Sequence, residues 1–358
     1  MNTNDQVQQY TEVQSKFVRL TQKLDGLVKE LMKAQNIRAN VESRTKEVSS
    51  FFNKLNRPGK AYSDPIKQVT DLSGIRIILF SISDIEKVSN LLRNEFNVDQ
   101  ANSTNKMDLL EPDRFGYLSE HFVVQLGDSR KNLPEWVDLG DLKAEIQVRT
   151  ILQHSWAAVE HLLVYKNTHD VPNKLKRRLS RLSALFELAD DELDAIIRDV
   201  SLQKEQYRDE VATGDLEIEV NVDSLKAYIQ GSSKFKYWEK FTRENIGIGI
   251  DNNDWGDLSR DVKFSQYFDI KSIKALDELL SNARGWGEIF FENYYKKDVL
   301  IRLNTTPDKV SLVFNGPITL LMIASNAEKI SADILKNEFG WDKGQMLLDI
   351  AKWAKIEK

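Results

Sequence analysis

Between residues 8 and 36, apolar side chains recur at helical spacing, at Val13, Phe17, Leu20, Leu24, Leu27 and Leu31, and predict a long amphipathic helix. A second helix is expected near 47–56, stopped by Arg57-Pro58-Gly59, and a short helix or turn over 64–70 follows Asp64-Pro65. The period then changes. Gly74-Ile75-Arg76-Ile77-Ile78-Leu79-Phe80 is apolar and β-branched, which predicts a buried strand. Ser83 and Asp84 open a helix whose apolar face is Ile85, Val88, Leu91, Leu92 and Phe96. Residues 99–114 are polar and read as a loop. Strands follow over 121–126 and 142–150, then helices over 151–165 and 175–200.

Helices alternating with a few strands predict an α+β first half, a mixed sheet flanked by helices. Periodicity breaks at Ala212-Thr213-Gly214-Asp215, which divides the chain into domains over 1–212 and 213–358. Beyond that break 216–222 alternates as a strand, and the rest reads as mainly helical. Its stripes include Ile273, Leu276, Leu279 and Leu280, and Met346, Leu347, Ile350 and Trp353. Trp238, Trp255, Trp286, Trp341 and Trp353 are expected in the core or at an interface. Asp251-Asn252-Asn253-Asp254 lacks calcium-loop spacing and reads as a turn.

The 358 residues suffice for two domains, and 41% hydrophobic with 29% charged residues is a globular balance. The formal net charge of −5 excludes bulk attraction to DNA, so a nucleotide or RNA site has to be a local basic pocket. With no cysteine, disulfides, thiol catalysis and cysteine zinc sites are excluded. No apolar run reaches membrane length and the first residues are polar, so the expectation is a soluble cytoplasmic protein with no membrane partner. Four histidines are too few for a hydrolase built on a His/Asp metal cluster.

Chemistry concentrates in four places. In Ala144-Glu145-Ile146-Gln147-Val148-Arg149-Thr150, strand alternation sets Glu145, Gln147 and Arg149 on one face and the apolar residues on the other. Such a face lies in water or in a cleft. In Asp71-Leu72-Ser73-Gly74-Ile75-Arg76, a carboxylate precedes a strand that contains an arginine. A buried arginine has to meet an acid, a phosphate or water, and Glu145 is one available acid. Gly116-Tyr117 offers a tight turn and an aromatic face for a base, or a packing tyrosine. Lys46, Ser50 and Lys54 share a face if the segment is helical, with Arg44 just ahead, and a basic face of this kind is also a common solvated surface.

Together these segments resemble the synthetase domain of the RelA/SpoT family over residues 40–200. The order is R-x-K-x3-S-x3-K (Arg44, Lys46, Ser50, Lys54), D-x-x-G-I-R (Asp71 to Arg76), G-Y-x-S-x-H (Gly116 to His121) and E-I-Q-x-R-T (Glu145 to Thr150). Trp156, Ala157, Glu160, His161, Tyr165 and Lys166 follow in W-A-x-x-E-H and Y-K. The resemblance implies a nucleotidyltransferase-like mixed sheet and transfer of pyrophosphate from ATP to the 3′-hydroxyl of GDP or GTP. It implies Mg2+ held by Asp71 and Glu145, which are also the catalytic residues, and ATP bound by Arg44, Lys46, Ser50, Lys54 and Arg76. It implies an acceptor bound by Tyr117, His121, Gln147, Arg149 and His161.

The acceptor loop departs from the family pattern P-K-x-x-G-Y-R-S-L-H. Asp113 stands at its lysine, Leu118 at its arginine, and Glu120 adds an acid, while Arg114 is a nearby cation. Related toxins that modify the tRNA 3′-CCA end make tRNA the rival acceptor. The basic run from Lys174 to Arg181 is either an RNA-facing patch or a solvated helix face. A nucleotide sensor without activity is a third reading, and the presence of both carboxylates argues against it. The residues ahead of the synthetase pattern are too few for the hydrolase of bifunctional relatives, so no alarmone hydrolysis is expected. The C-terminal domain is expected to bind a protein regulator or to form a homo-oligomer.

Overall fold

Strand side chains alternate between faces, and in the first half of the chain that alternation builds a sheet with one apolar and one polar face. The computed structural model describes residues 3–59, 61–105, 119–164, 172–342 and 344–357. It forms two compact units, 1–198 and 199–358.

The first unit runs α1 (Thr3–Ala34), β1 (Ala39–Thr45), α2 (Val48–Leu55), α3 (Pro65–Gln68), β2 (Ser73–Leu79), α4 (Ser83–Glu95), β3 (Phe96–Val98) and β4 (Thr104–Asn105). It continues with β5 (Glu120–Leu126), α5 (Asp128–Lys131), β6 (Ala144–Thr150), α6 (Ile151–Val164) and α7 (Asn173–Thr213), whose last turns belong to the second unit. Strand order is β1-β2-β6-β5-β3, with β4 beside β5. β2 and β6 run parallel, and the other pairs are antiparallel. The sheet is therefore mixed and flanked by helices, as the sequence pattern predicts.

On the apolar face Ile75, Ile77, Leu79, Phe122, Val124, Ile146 and Val148 share a core with Phe17, Leu20, Leu24 and Val28 of α1 and with Ile85, Val88 and Leu92 of α4. Tyr10 of α1 meets Phe51 of α2 at 4.4 Å between ring centroids. Thr45 and Thr21 share a hydroxyl hydrogen bond, and Thr21 bonds Ser73 in turn, which fastens α1 to the strands bearing the site. The far ends of β2 and β6 are tied down by α7. Thr150 Oγ1 donates to Asp190 Oδ2 at 2.6 Å, and Asp194 accepts from the Ser81 hydroxyl and from the Ser83 N–H at 3.2 Å.

The strand at 39–45 is absent from the sequence reading. β1 is an edge strand, mostly exposed, so its alternation is weak. Lys46 falls in the link between β1 and α2, so the helix face expected to unite it with Ser50 and Lys54 holds only for the last two. Within 99–114, Thr104–Asn105 is a short strand, and 106–114 lies outside the described residues. α7 extends past the expected end at 200.

The second unit is mainly helical: α8 (Val222–Gly231), α9 (Ser233–Phe241), α10 (Leu258–Tyr267), α11 (Ile273–Asn282), α12 (Trp286–Asn293), α13 (Leu300–Arg302), α14 (Gly316–Ser325), α15 (Ala332–Phe339) and α16 (Gly344–Ile356). Parallel β7 (Gly249–Asp251) and β8 (Ser311–Val313) pair beside them. Of the expected strand at 216–222, residues 216–221 carry one isolated bridge, Glu219 to Ser272, and Val222 already opens α8; among the described residues no neighbouring strand completes a ladder. Asn252 and Asn253 form the expected turn, with Asp251 Oδ1 accepting from the Asn253 N–H. Trp238 and Trp286 are core residues, Trp255 and Trp341 pack against the core half-buried, and Trp353 is exposed. The α16 stripe is rotated from its expected position. Leu347, Leu348, Ala351 and Ala354 are buried, while Met346 and Trp353 face out. Among the described residues no helix is long and apolar enough to cross a membrane.

Burial raises the Asp194 carboxyl, but the bonds from Ser81 and Ser83 outweigh it and hold the group below the ordinary carboxylate range. Its contribution is therefore fully present above the unfolded value near ~4 and lost as pH falls through the lower folded value. Asp194→Ala is expected to cost about 1–3 kcal/mol at pH 7, since the Ser81 hydroxyl and the Ser83 N–H lose a charged acceptor and only the Ser83 hydroxyl remains beside Ser81. Thermal unfolding across pH checks both points: the gap from wild type narrows below pH ~4.

Candidate active site

The polar face of the sheet is organised in rows by strand register. Arg44, Gly74, Glu145 and Val123 stand side by side, and Glu42, Arg76, Gln147 and His121 form the next row. A cleft of about 500 Å³ opens over these rows. It is lined by Glu42, Arg44, Asp71, Arg76, Glu145 and Gln147, with Ser43, Gly74 and Ile75 at its floor.

Gly74 is what keeps the floor open. Its backbone does not require glycine, because its φ is not positive. A Cβ added there would touch only the Arg44 carbonyl, at 3.5 Å, so a longer side chain would project from the row between Arg44 and Glu145.

Asp71 sits in the turn before β2, with Lys46 Nζ 2.7 Å from one oxygen and Lys54 Nζ 2.7 Å from the other. Burial raises this carboxyl, and the two lysines more than reverse it, so Asp71 is held below its ordinary range and is ionised at neutral pH. Lys46 is only 6% exposed. Its carbonyl accepts from Tyr10 Oη at 2.6 Å and from Gln14 Nε2 at 3.1 Å, so α1 fixes the segment that carries it. Burial, followed by the charges of Glu47 and Asp71, pushes the Tyr10 phenol up to about 12, so it stays a hydrogen-bond donor.

Glu145 is the hub of a second network. His121 Nδ1 lies 3.0 Å from Oε1, and its Nε2 lies 2.7 Å from Ser119 Oγ. Gln147 Nε2 donates to Glu145 Oε2 at 3.1 Å, and Arg149 donates to Gln147 Oε1 at 2.6 Å. Burial raises the Glu145 carboxyl, and the histidine beside it brings it below its ordinary value. The cleft thus holds Asp71 and Glu145 as ionised carboxylates, each bonded to neighbours that fix its direction, with Glu42 and the guanidinium groups at the rim.

Arg76 is not the buried cation that its apolar strand suggests. It is 40% exposed on the open face, and it pairs with Glu42 at 3.5 Å rather than with Glu145. Arg149 is 4% exposed and touches Gln147, so it acts behind the cleft rather than in its lining. His121, expected on the acceptor side, lies against Glu145. Ser50 is exposed on α2 and does not line the cleft. Glu120 points to the opposite face, accepting from Ser89 Oγ at 2.7 Å with Arg93 3.7 Å away, so its charge does not enter the cleft. Tyr117 lies outside the described residues, as do Asp113, Arg114, Leu118, Tyr165 and Lys166; His161 belongs to α6, and its side chain lies outside them too.

Glu42 and Ser43 were missed, and Ser119, read as part of the G-Y-x-S-x-H segment, was given no role. The first two sit on the unrecognised edge strand, and weak alternation was their only signal. His154 was also unassigned. Burial, with the charge of Arg149, holds its imidazole below the ordinary value, so it is neutral at pH 7.

Residues 43–170 match the model of a family described as a region found in RelA / SpoT proteins. That span takes in every cleft residue except Glu42. The chain is 31% identical over 172 residues to the GTP pyrophosphokinase YwaC of Bacillus subtilis, covering 48% of this chain and 79% of that relative. It is 32% identical over 163 residues to the GTP pyrophosphokinase YjbM of the same organism, covering 44% and 70%. The crystal structure of the small alarmone synthetase 1 from Bacillus subtilis superposes with a TM-score of 0.43 at 25% identity, over 54% of this chain and 98% of that one. On its sequence match to these relatives, the chain belongs to the RelA/SpoT family.

Proposed function

We propose that the chain transfers the β,γ-pyrophosphate of ATP to the 3′-hydroxyl of GDP or GTP. The observation that carries this reading is one cleft lined by Asp71, Glu145, Arg44 and Arg76, with Lys46 and Lys54 bonded to Asp71 from behind it. Two relatives named as GTP pyrophosphokinases support the same reaction.

The 3′-oxygen attacks the β-phosphorus of ATP, the bond from that phosphorus to the bridging oxygen of the α-phosphate breaks, and AMP departs with the bridging oxygen. Little covalent chemistry falls to the protein. Its work is positioning and charge stabilisation. Lys46 and Lys54, now spent on Asp71, turn to the phosphates as ATP enters, and Arg44 and Arg76 grip the donor from the exposed rim. The donor pattern assigns Ser50 to ATP as well.

The donor set fits Mg2+, because an ion that keeps water and takes phosphate oxygens needs one or two carboxylates rather than a full protein cage. Among the described residues no group of three or more acids and histidines converges. Asp71 and Glu145 would hold the ion, which when bound neutralises phosphate charge. A lowered Glu145 value makes it a weak base, so it orients the 3′-hydroxyl through a hydrogen bond and takes its proton late, as the bond to phosphorus forms. Gln147 reaches the cleft, and Arg149 and His121 hold Gln147 and Glu145 in direction. Tyr117 and His161 complete the acceptor side by the family pattern.

The direct test offers ATP labelled on its terminal phosphate with GDP, GTP or deacylated tRNA in separate reactions, beside an Asp71→Ala/Glu145→Ala variant. Label is expected on GDP or GTP and at least a hundred-fold less in the variant. Label on tRNA alone would replace the guanosine nucleotide as acceptor, and label nowhere would leave a nucleotide sensor. Gly74→Leu is a second check. It is expected to fold with an unchanged melting temperature and to lose ATP binding in calorimetry, because its side chain fills the cleft floor.

A further inference from the structure

Among the described residues three carboxylates line the cleft, and Glu42 is the one that neither holds a lysine nor stands among the acceptor residues. A triphosphate carries several negative charges, so a third carboxylate opposes its binding unless it faces a part of the ligand that is not phosphate. Glu42 stands where that is possible. On β1 it is two residues from Arg44, about 7 Å along the strand, on the side away from Lys46 and its partner Asp71. β1 is the edge of the sheet, three strands from His121 on β5.

Phosphates drawn to Lys46 and Lys54 leave the donor's base beside the guanidinium groups of Arg44 and Arg76, because a planar guanidinium stacks on an aromatic ring. Glu42 shares a row with Arg76 and therefore borders that ring. It is 52% exposed, and its ion pair runs from Oε2 to Arg76 Nη1 at 3.5 Å, which leaves Oε1 open to a ligand. A carboxylate only accepts hydrogen bonds. Adenine offers an amino group at its 6-position, whereas a 6-oxo purine in the same pose sets an oxygen against the carboxylate. The ribose lies nearer the phosphates, and Glu42 is on the far side of Arg44 from them.

We infer that Glu42 accepts a hydrogen bond from the 6-amino group of the donor base and so selects ATP against 6-oxo purine triphosphates, an inference that rests on the proposed transfer from ATP. Glu42 sets specificity and takes no part in the transfer itself. The experiment measures kcat/KM of the full chain for ATP, inosine 5′-triphosphate and 2′-deoxy-ATP as donors, by release of the monophosphate. GDP is kept saturating, so that the inosine nucleotide does not occupy the acceptor side. Wild type is expected to prefer ATP to inosine triphosphate by about ten-fold or more, because a charged acceptor facing an oxygen loses a strong hydrogen bond. Glu42→Gln, whose amide can accept from the amine or donate to the oxygen, is expected to bring the two within about three-fold at an unchanged melting temperature. If Glu42 only steadies Arg76, the variant loses rate with both donors equally and keeps the wild-type ratio, which overturns the inference. So does a wild type that does not distinguish the two bases, or a variant that changes only the ratio of ATP to 2′-deoxy-ATP. A wild type that transfers nothing from ATP overturns the proposed reaction, and this inference with it.

Discussion

The parallel pairing of β2 with β6 sets Gly74 beside Glu145 and Arg76 beside Gln147, and the cleft follows from that register. A one-residue slip of β6 would turn Glu145 and Gln147 into the apolar core and bring Ile146 out, and a slip of β2 would do the same with Arg76 and Ile75. The register is held from both directions. Isoleucine and valine on the apolar face can be buried against α1 and α4 only in this phase. At the far ends, Asp190 and Asp194 of α7 grip the residues that follow β2 and end β6. Core packing thus does the positioning, and the site inherits its geometry from it.

Within that frame the charges are arranged to wait. Asp71 and the two lysines satisfy one another, so a buried ammonium and a carboxylate coexist without a ligand. A highly charged phosphate ester can exchange into this arrangement, because each lysine trades one anionic oxygen for another. Glu145 is treated differently. It is bonded by His121 and Gln147, and its neighbours are in turn bonded by Ser119 and Arg149, which leaves it little freedom to swing. One acid is exchangeable and the other is rigid, as a site that must admit a donor and aim an acceptor would need.

Much of this was legible in the sequence, for identifiable reasons. β2 and β6 combine a strong apolar alternation with polar residues in phase, so both the strands and the face of Glu145, Gln147 and Arg149 could be read. β1 could not: it is short, exposed and closed by charges, and with it Glu42 and the strand position of Arg44 were lost. The pairing of Arg76 was misjudged for a related reason. Its flanking isoleucines suggest burial, but whether the other face of a sheet is covered is decided by distant helices, not by the strand. Glu120 shows the same limit, since only the β5 register reveals that it faces α4. In the second unit the helices were legible, but the phase of α16 was not, because Met346 and Trp353 are apolar and exposed.

What the cleft does to ATP is the centre of this account, and phosphorus NMR of the running reaction reads it directly. With ATP, Mg2+ and GDP or GTP, the account requires AMP to appear in step with a new diphosphate on the acceptor, and neither ADP nor orthophosphate to accumulate. Growth of ADP would mean transfer or hydrolysis of a single phosphoryl group, and the arrangement of Asp71 and Glu145 would then have to be read as serving attack at the γ-phosphorus instead of the β.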